Sequence, residues 1–231
     1  VDADNATTSA PPIQQPLPLG EVLAETIRVY GARFWAALSI GALLAGMIVL
    51  VVVASIGAFS IAPIALVFAL AFAVGTRVVA GDSLGKACVR TAEKAPVLVA
   101  LTLIVTVPLT IAMVSPLFLL LVAFWLGLTG FAIPVAMVEE PPANARGRLG
   151  YAITRSFELG RADYLHAVGV LAALLIVYGL GGRIAIEALR GFAENGEVVA
   201  FVITQVVLAP LFFLGVGLLY FEQRARAISS R

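Results

Sequence analysis

The segment EEPPANARGRLGYAITRSFELGRADY, residues 139–164, carries four arginines and four acids. On either side of it the chain runs for many residues without a formal charge. The whole sequence of 231 residues is 61% hydrophobic and only 13% charged, so a charged island of this kind reads as a loop between apolar spans. A mean hydropathy of +1.04 and a charged fraction about half that of a soluble domain exclude an ordinary globular protein.

Working outward from the island, charge-free stretches fall at about 36–58, 61–76, 95–113, 116–138, 165–182 and 198–220. A membrane-spanning helix needs roughly 20 apolar residues. Residues 36–76 and 95–138 are each too long for one span and fit two spans joined by a tight turn, at Gly57 and Pro63 and at Ser115 and Pro116. The apolar runs show no alternation of period two, which favours helices over a barrel. The expected fold is an all-α integral membrane protein with six transmembrane helices.

The fifteen basic residues orient it. Thirteen lie before the first stretch, in the loops after the second and fourth, or beyond the sixth. Only Arg183 and Arg190 lie elsewhere, in the loop between the fifth and sixth. The positive-inside rule then places both termini in the cytoplasm, in a multi-pass protein of the plasma (inner) membrane. Residues 1–18, rich in Pro, Ser and Thr, read as a disordered cytoplasmic tail. They lack the basic and then apolar pattern of a secretory signal. Residues 227–231 read as a short C-terminal tail.

The charged island also contains the third member of a repeat. LGEVLAET begins at Leu19, LGKACVRT at Leu84 and LGYAITRS at Leu149. Each octet is Leu-Gly, five residues, then Thr or Ser, and the starts are 65 residues apart both times. This spacing predicts an internal triplication over 19–83, 84–148 and 149–226. Each unit has two spans preceded by a cytoplasmic interfacial amphipathic helix. The alternative is that short amphipathic helices before spans converge in composition. In the first helix Leu19, Val22, Leu23, Ile27 and Tyr30 form an apolar stripe opposite Glu21, Glu25 and Arg28. In the third, Leu149, Ala152, Ile153 and Phe157 oppose Arg148, Arg155 and Glu158. Asp82 or Ser83, and Asn144, stand where helix caps are expected.

FAIPVAMVEEPPANARGRLGYAITRSFELGRADYLHAVGVLAAL, residues 131–174, has a Pro, a short apolar run, Glu at the span exit and a helix with an Arg-Ser pair. PLFFLGVGLLYFEQRARA, residues 210–227, adds a Pro in the last span and an exit of aromatic, acidic and basic residues. Together these resemble the membrane domain attached to some bacterial glycerophosphodiester phosphodiesterases and shared by stand-alone bacterial membrane proteins. The resemblance is best over 131–226. It implies no phosphodiesterase activity, because in that family the activity belongs to a separate soluble barrel with its own metal ligands.

The residues themselves offer little chemistry. The apolar stretches hold no Asp, Glu, Lys or Arg, whereas proton pumps and ion-coupled transporters place such groups inside their spans. No zinc-ligand His pair, Ser-His-acid set, P-loop or dinucleotide fingerprint is present, and no metal or cofactor is expected. A net charge of +1 suggests no nucleic-acid partner. The single Cys88 excludes an internal disulfide.

Two weaker constellations stand out. Arg148, Arg155, Ser156 and Arg161 form a candidate site for lipid headgroups, set against their plain role as a topology signal. Thr102, Thr106, Thr110, Thr204 and Gln205 form a candidate polar path, set against hydrogen bonding between helices. Kinks at Pro63, Pro108, Pro134 and Pro210 would shape a cavity or merely fit the bundle. Ala42/Gly46, Ala71/Gly75 and Gly169/Ala173 are small-residue pairs for close packing. GRIAIEALRGFAENGE, residues 182–197, reads as a short amphipathic helix on the outer surface.

The function expected from these features is non-enzymatic: an integral membrane protein organising lipid or protein partners, as an accessory subunit of a membrane complex. The alternative is a transporter or flippase for a neutral or amphipathic solute or lipid. A lipid enzyme using Glu139, Arg155 or His166 is a third class.

Overall fold

The computed structural model describes residues 17–53, 61–106, 108, 118–143, 147–190 and 196–229. The regular elements among them are all helical. They are α1 (Leu19–Ala32), α2 (Phe34–Val53), α3 (Ile61–Val79), α4 (Leu84–Glu93), α5 (Ala95–Leu101), α6 (Phe118–Thr129), α7 (Ala132–Val138), α8 (Arg148–Ala162), α9 (Tyr164–Arg190) and α10 (Gly196–Ser229). α5 continues as a π turn over Thr102–Thr106.

Five segments are long and apolar enough to cross a membrane: Phe34–Val51, Ala62–Val79, Leu120–Val138, Tyr164–Arg190 and Gly196–Ser229. The chain is accordingly read as a multi-pass membrane protein. Of the expected span at 95–113, Ala95–Thr106 is a shorter apolar helix, and beyond it only Pro108 is described. Thr110 and the expected turns at Gly57, Ser115 and Pro116 lie outside the described residues, as does Asn144.

The three Leu-Gly octets each open a short helix, and each helix buries the same two positions. They are Val22 and Thr26 in α1, Ala87 and Thr91 in α4, and Ala152 and Ser156 in α8. The octet glycines Gly20, Gly85 and Gly150 all face open space. One residue after each short helix, at Arg33, Lys94 and Asp163, the chain starts the next helix. Ser83 occupies the N-cap of α4 without a side-chain bond. α8 follows Gly147, whose φ of 84° lies in the left-handed region that glycine adopts at little cost.

α10 is the hub of the bundle, packing against α1, α2, α3, α8 and α9. From Ala209 to Gln223 every residue but Leu211 is buried, with Phe213 against Phe68 and Phe72 of α3 and Phe212 against Tyr178 of α9. Pro210 lies inside this helix. A proline has no N–H, so the carbonyl of Val206, four residues back, loses its helical donor. Gly41 of α2 fills the gap: a Cβ there would collide with the Val206 and Gln205 carbonyl oxygens. The missing side chain lets the α2 backbone approach the α10 backbone closely at this point.

Of the expected small-residue pairs, Gly75 does approach Phe213 and Gly169 approaches Leu19, while Gly46 faces open space. The outer segment is corrected. Residues 183–190 are not a separate helix but the last turns of α9. Gly181 and Gly182, inside α9, admit Leu208 and Thr204 of α10, since a Cβ on either would lie 2.7 or 2.9 Å from those side chains.

Candidate functional site

Three hubs of charged side chains form near the ends of α3, α7 and α10. Two of them lie where an apolar helix ends and the next short helix begins, and the third lies on the last helix.

The first hub is Asp82, between α3 and α4. Its carboxylate accepts from Arg77 Nε at 2.6 Å and from Arg90 Nη1 at 2.8 Å. Arg33 donates to its backbone carbonyl at 3.2 Å, tying in the start of α2. Gly81, with φ 103°, turns the chain so that Asp82 points back at α3. Nearby, Lys94 Nζ donates to the carbonyls of Ala136 and Met137 at 2.8 and 3.0 Å, and Arg77 Nη1 to Met137 at 3.3 Å. Two cations therefore cap the C-terminus of α7, where the helix dipole favours positive charge and the last carbonyls lack partners. Burial, and after it the positive charge of Arg148, hold the Lys94 ammonium below the usual lysine range, against the pull of Glu140 and Glu93.

The second hub is Glu139, the residue after α7. It accepts hydrogen bonds from Tyr151 Oη at 2.7 Å, Tyr220 Oη at 2.9 Å and Arg155 Nε at 3.3 Å. Arg224 Nε lies 4.0 Å away. Arg155 also bonds Glu158 at 2.8 Å. Burial, followed by the bond to Glu139, pushes the Tyr151 hydroxyl up. Burial works to lower Arg155, but the bond to Glu158 and the charge of Glu139 outweigh it and raise the guanidinium further.

The third hub is Glu222 on α10, whose side chain is fully buried. It pairs with Arg226 one turn later and faces His166 Nε2 at 3.5 Å. Arg226 continues to Asp163 Oδ2 at 2.8 Å and to the Leu17 carbonyl at 2.7 Å. Asp163 caps α9 by accepting from the His166 amide at 3.2 Å. Through Arg226 and Leu17 the last helix meets the residues leading into the first. His166 Nε2 and Gln223 Oε1 are buried without a hydrogen-bond partner.

The four residues of the candidate headgroup site divide. Arg155 and Ser156 face inward, Ser156 donating to the Leu128 carbonyl at 2.6 Å, while Arg148 and Arg161 are exposed. The candidate polar path also divides. Thr102 bonds the Leu98 carbonyl at 2.8 Å and Thr106 the carbonyls of Ala65 and Thr102 at 2.8 and 3.0 Å. Those two pack against α3. On another side of the bundle, Thr204 bonds the Ala200 carbonyl and Gln205 accepts from Tyr178 at 2.8 Å.

Sequence reasoning passed over Asp82 as a charge hub, Lys94 as a cap and Glu222 as a buried acid. The Glu222–Arg226 spacing of four and the Asp163–His166 spacing of three were readable signals. Among the described residues no group of three His, Cys, Asp or Glu is placed to hold a metal. Each hub carboxylate is matched by arginine, so what these hubs do chemically is hold helices together. No family model, curated protein or solved structure matches the chain.

Proposed function

We propose that the protein is a non-enzymatic, six-span membrane protein of the plasma (inner) membrane that organises lipid or protein partners. It is built from three two-span repeats with its basic end in the cytoplasm. The observation that carries this reading is the engagement of its polar groups with one another. The hub carboxylates of Asp82, Glu139 and Glu222 are bound by arginines and tyrosines, and the hydroxyls of Thr102, Thr106 and Thr204 by backbone carbonyls. Groups bonded in this way hold the fold rather than await a substrate, which favours an organising role over a polar solute path.

The repeat is supported by the matched burial of Val22/Thr26, Ala87/Thr91 and Ala152/Ser156. A seat for the short helices at the membrane surface is supported by the outward apolar residues Ile27 and Val89, each more than half exposed. The family resemblance over 131–226 fits the same role, since it is a likeness to a membrane domain without the catalytic barrel.

The test is extraction of the protein from its native membrane in lipid nanodiscs, with mass spectrometry of whatever co-purifies. An enriched lipid class or a stoichiometric protein partner is the expected result. A single enriched small solute with neither of these would overturn the organising role and put transport in its place.

A further inference from the structure

The bundle has an open groove of about 570 Å³ on the flank of α6, within the size range of small-molecule sites. Phe118, Leu121, Phe124, Trp125, Leu128 and Tyr164 form most of its wall. The polar tips of its aromatic side chains are turned away from any ligand. Trp125 Nε1 donates to the Ile104 carbonyl at 2.8 Å, and Tyr164 Oη donates to the Phe124 carbonyl at 2.9 Å. Ile104 lies within the π turn, where the widened backbone offers carbonyls to outside donors. With both tips satisfied, the wall presents ring faces and methyl groups, a surface for an apolar chain and not for a polar solute.

One end of the groove is marked by charge. The Gly160 backbone of α8 lies so close to the Gly127 carbonyl and Leu128 Cα that a Cβ on Gly160 would clash with them. Arg161 follows Gly160 directly, so its backbone lies near the Leu128 and Tyr164 end of the groove. Arg161 is exposed, and no ion pair of it is present among the described residues. From Phe118 to Leu128 the helix rises about 15 Å, long enough to lie along much of one acyl chain. An apolar trough with a basic residue near one end matches a lipid with an acyl chain and an anionic head.

We infer that the α6 groove is a binding site for an anionic phospholipid, one acyl chain lying along Phe118–Leu128 and the headgroup phosphate meeting Arg161. The inference rests on the membrane-organising reading above and gives it a ligand class and a place.

The chain's two tryptophans make the test local. Trp35 lies on α2 and is 78% exposed, so Trp35→Phe leaves Trp125, in the groove wall, as the only indole. The variant is reconstituted into vesicles holding increasing fractions of phosphatidylglycerol or of phosphatidylcholine with brominated acyl chains, and Trp125 quenching is followed. Half-maximal quenching is expected at a roughly fivefold lower fraction of the anionic lipid, the effect of one basic residue at the surface. Arg161→Ala should erase the difference, Arg161→Lys should keep most of it, and Arg148→Ala should leave it intact. Equal quenching by both lipids would overturn the site and leave ordinary surrounding lipid only. An equal effect of Arg148→Ala and Arg161→Ala would overturn the phosphate contact in favour of diffuse surface charge. No quenching by either lipid would go further, because the α6 flank would then not face lipid and the membrane reading itself would fall.

Discussion

The basic end of the bundle and the flank of α6 use their side chains in opposite ways. At the basic end the strongest polar groups of the molecule turn inward and bind each other: Arg77 with Asp82, Arg155 with Glu139, Arg226 with Glu222 and Asp163. Along α6 the polar tips turn inward too, but what remains outside is Phe118, Leu121, Phe124 and Trp125, each exposed by more than two fifths. The charges named here bind one another within the bundle, while the surface that α6 turns outward is apolar.

If that contrast holds, damage to inward contacts should cost stability, and damage to outward ones should change what the protein binds. The largest effect is expected at Gly41, where any side chain meets backbone on α10. Gly41→Leu should destabilise the detergent-solubilised protein by about 3 kcal/mol or more, beyond ordinary overpacking, because backbone cannot rotate away as a side chain does. A thermal melt monitored by helicity checks it, and an unchanged midpoint would break the α2–α10 seam. Next is Arg226→Met, which strands the fully buried Glu222 and should cost about 3–5 kcal/mol. The double variant Glu222→Gln/Arg226→Met should recover part of this loss. Asp82→Asn should cost less, about 1–3 kcal/mol, because Arg90 is half exposed and water takes over its bonds.

The smallest effect is a pH dependence at Lys94. Its ammonium is held below the usual lysine range by burial and by Arg148, so the unfolded chain keeps that proton to higher pH than the folded one. Stability therefore rises with pH between the lowered folded value and the ordinary lysine pKa of about 10.4, and the deficit is fully present at neutral pH. Melts of wild type and Lys94→Met from pH 7 to 10 should converge as pH rises if the methionine variant is the more stable at neutral pH. They should diverge if the lost caps on Ala136 and Met137 make it the less stable. A difference that does not change with pH would contradict the burial of the charge.

Much of the architecture was legible because it depends on sums over many residues. Five of the apolar stretches are long helices, and the three octets open three short ones. What could not be read depends on which helices become neighbours. Residues 182–197 look like a separate outer helix, but α9 runs on through Gly181 and Gly182, where Leu208 and Thr204 fill the space they leave. Gly41 gains its role only from the carbonyl that Pro210 leaves free, 165 or more residues along the chain. Arg155 and Ser156 look like surface groups in a positive loop, yet Glu139 and the Leu128 carbonyl claim them. The candidate site was half visible in the same sense: Arg161 was in the sequence reading, but Trp125 gave no sign until Ile104 was placed beside it.

The proposed orientation puts the basic end of the bundle on the cytoplasmic side of a membrane. Cys88, the only cysteine, is exposed on α4 at that end and reports on it without any mutation. A membrane-impermeant maleimide applied to sealed vesicles of the two orientations is the direct measurement. Labelling of inside-out vesicles, with right-side-out vesicles protected until detergent is added, is the predicted result. Labelling of Cys88 from the outside of sealed right-side-out vesicles would contradict it.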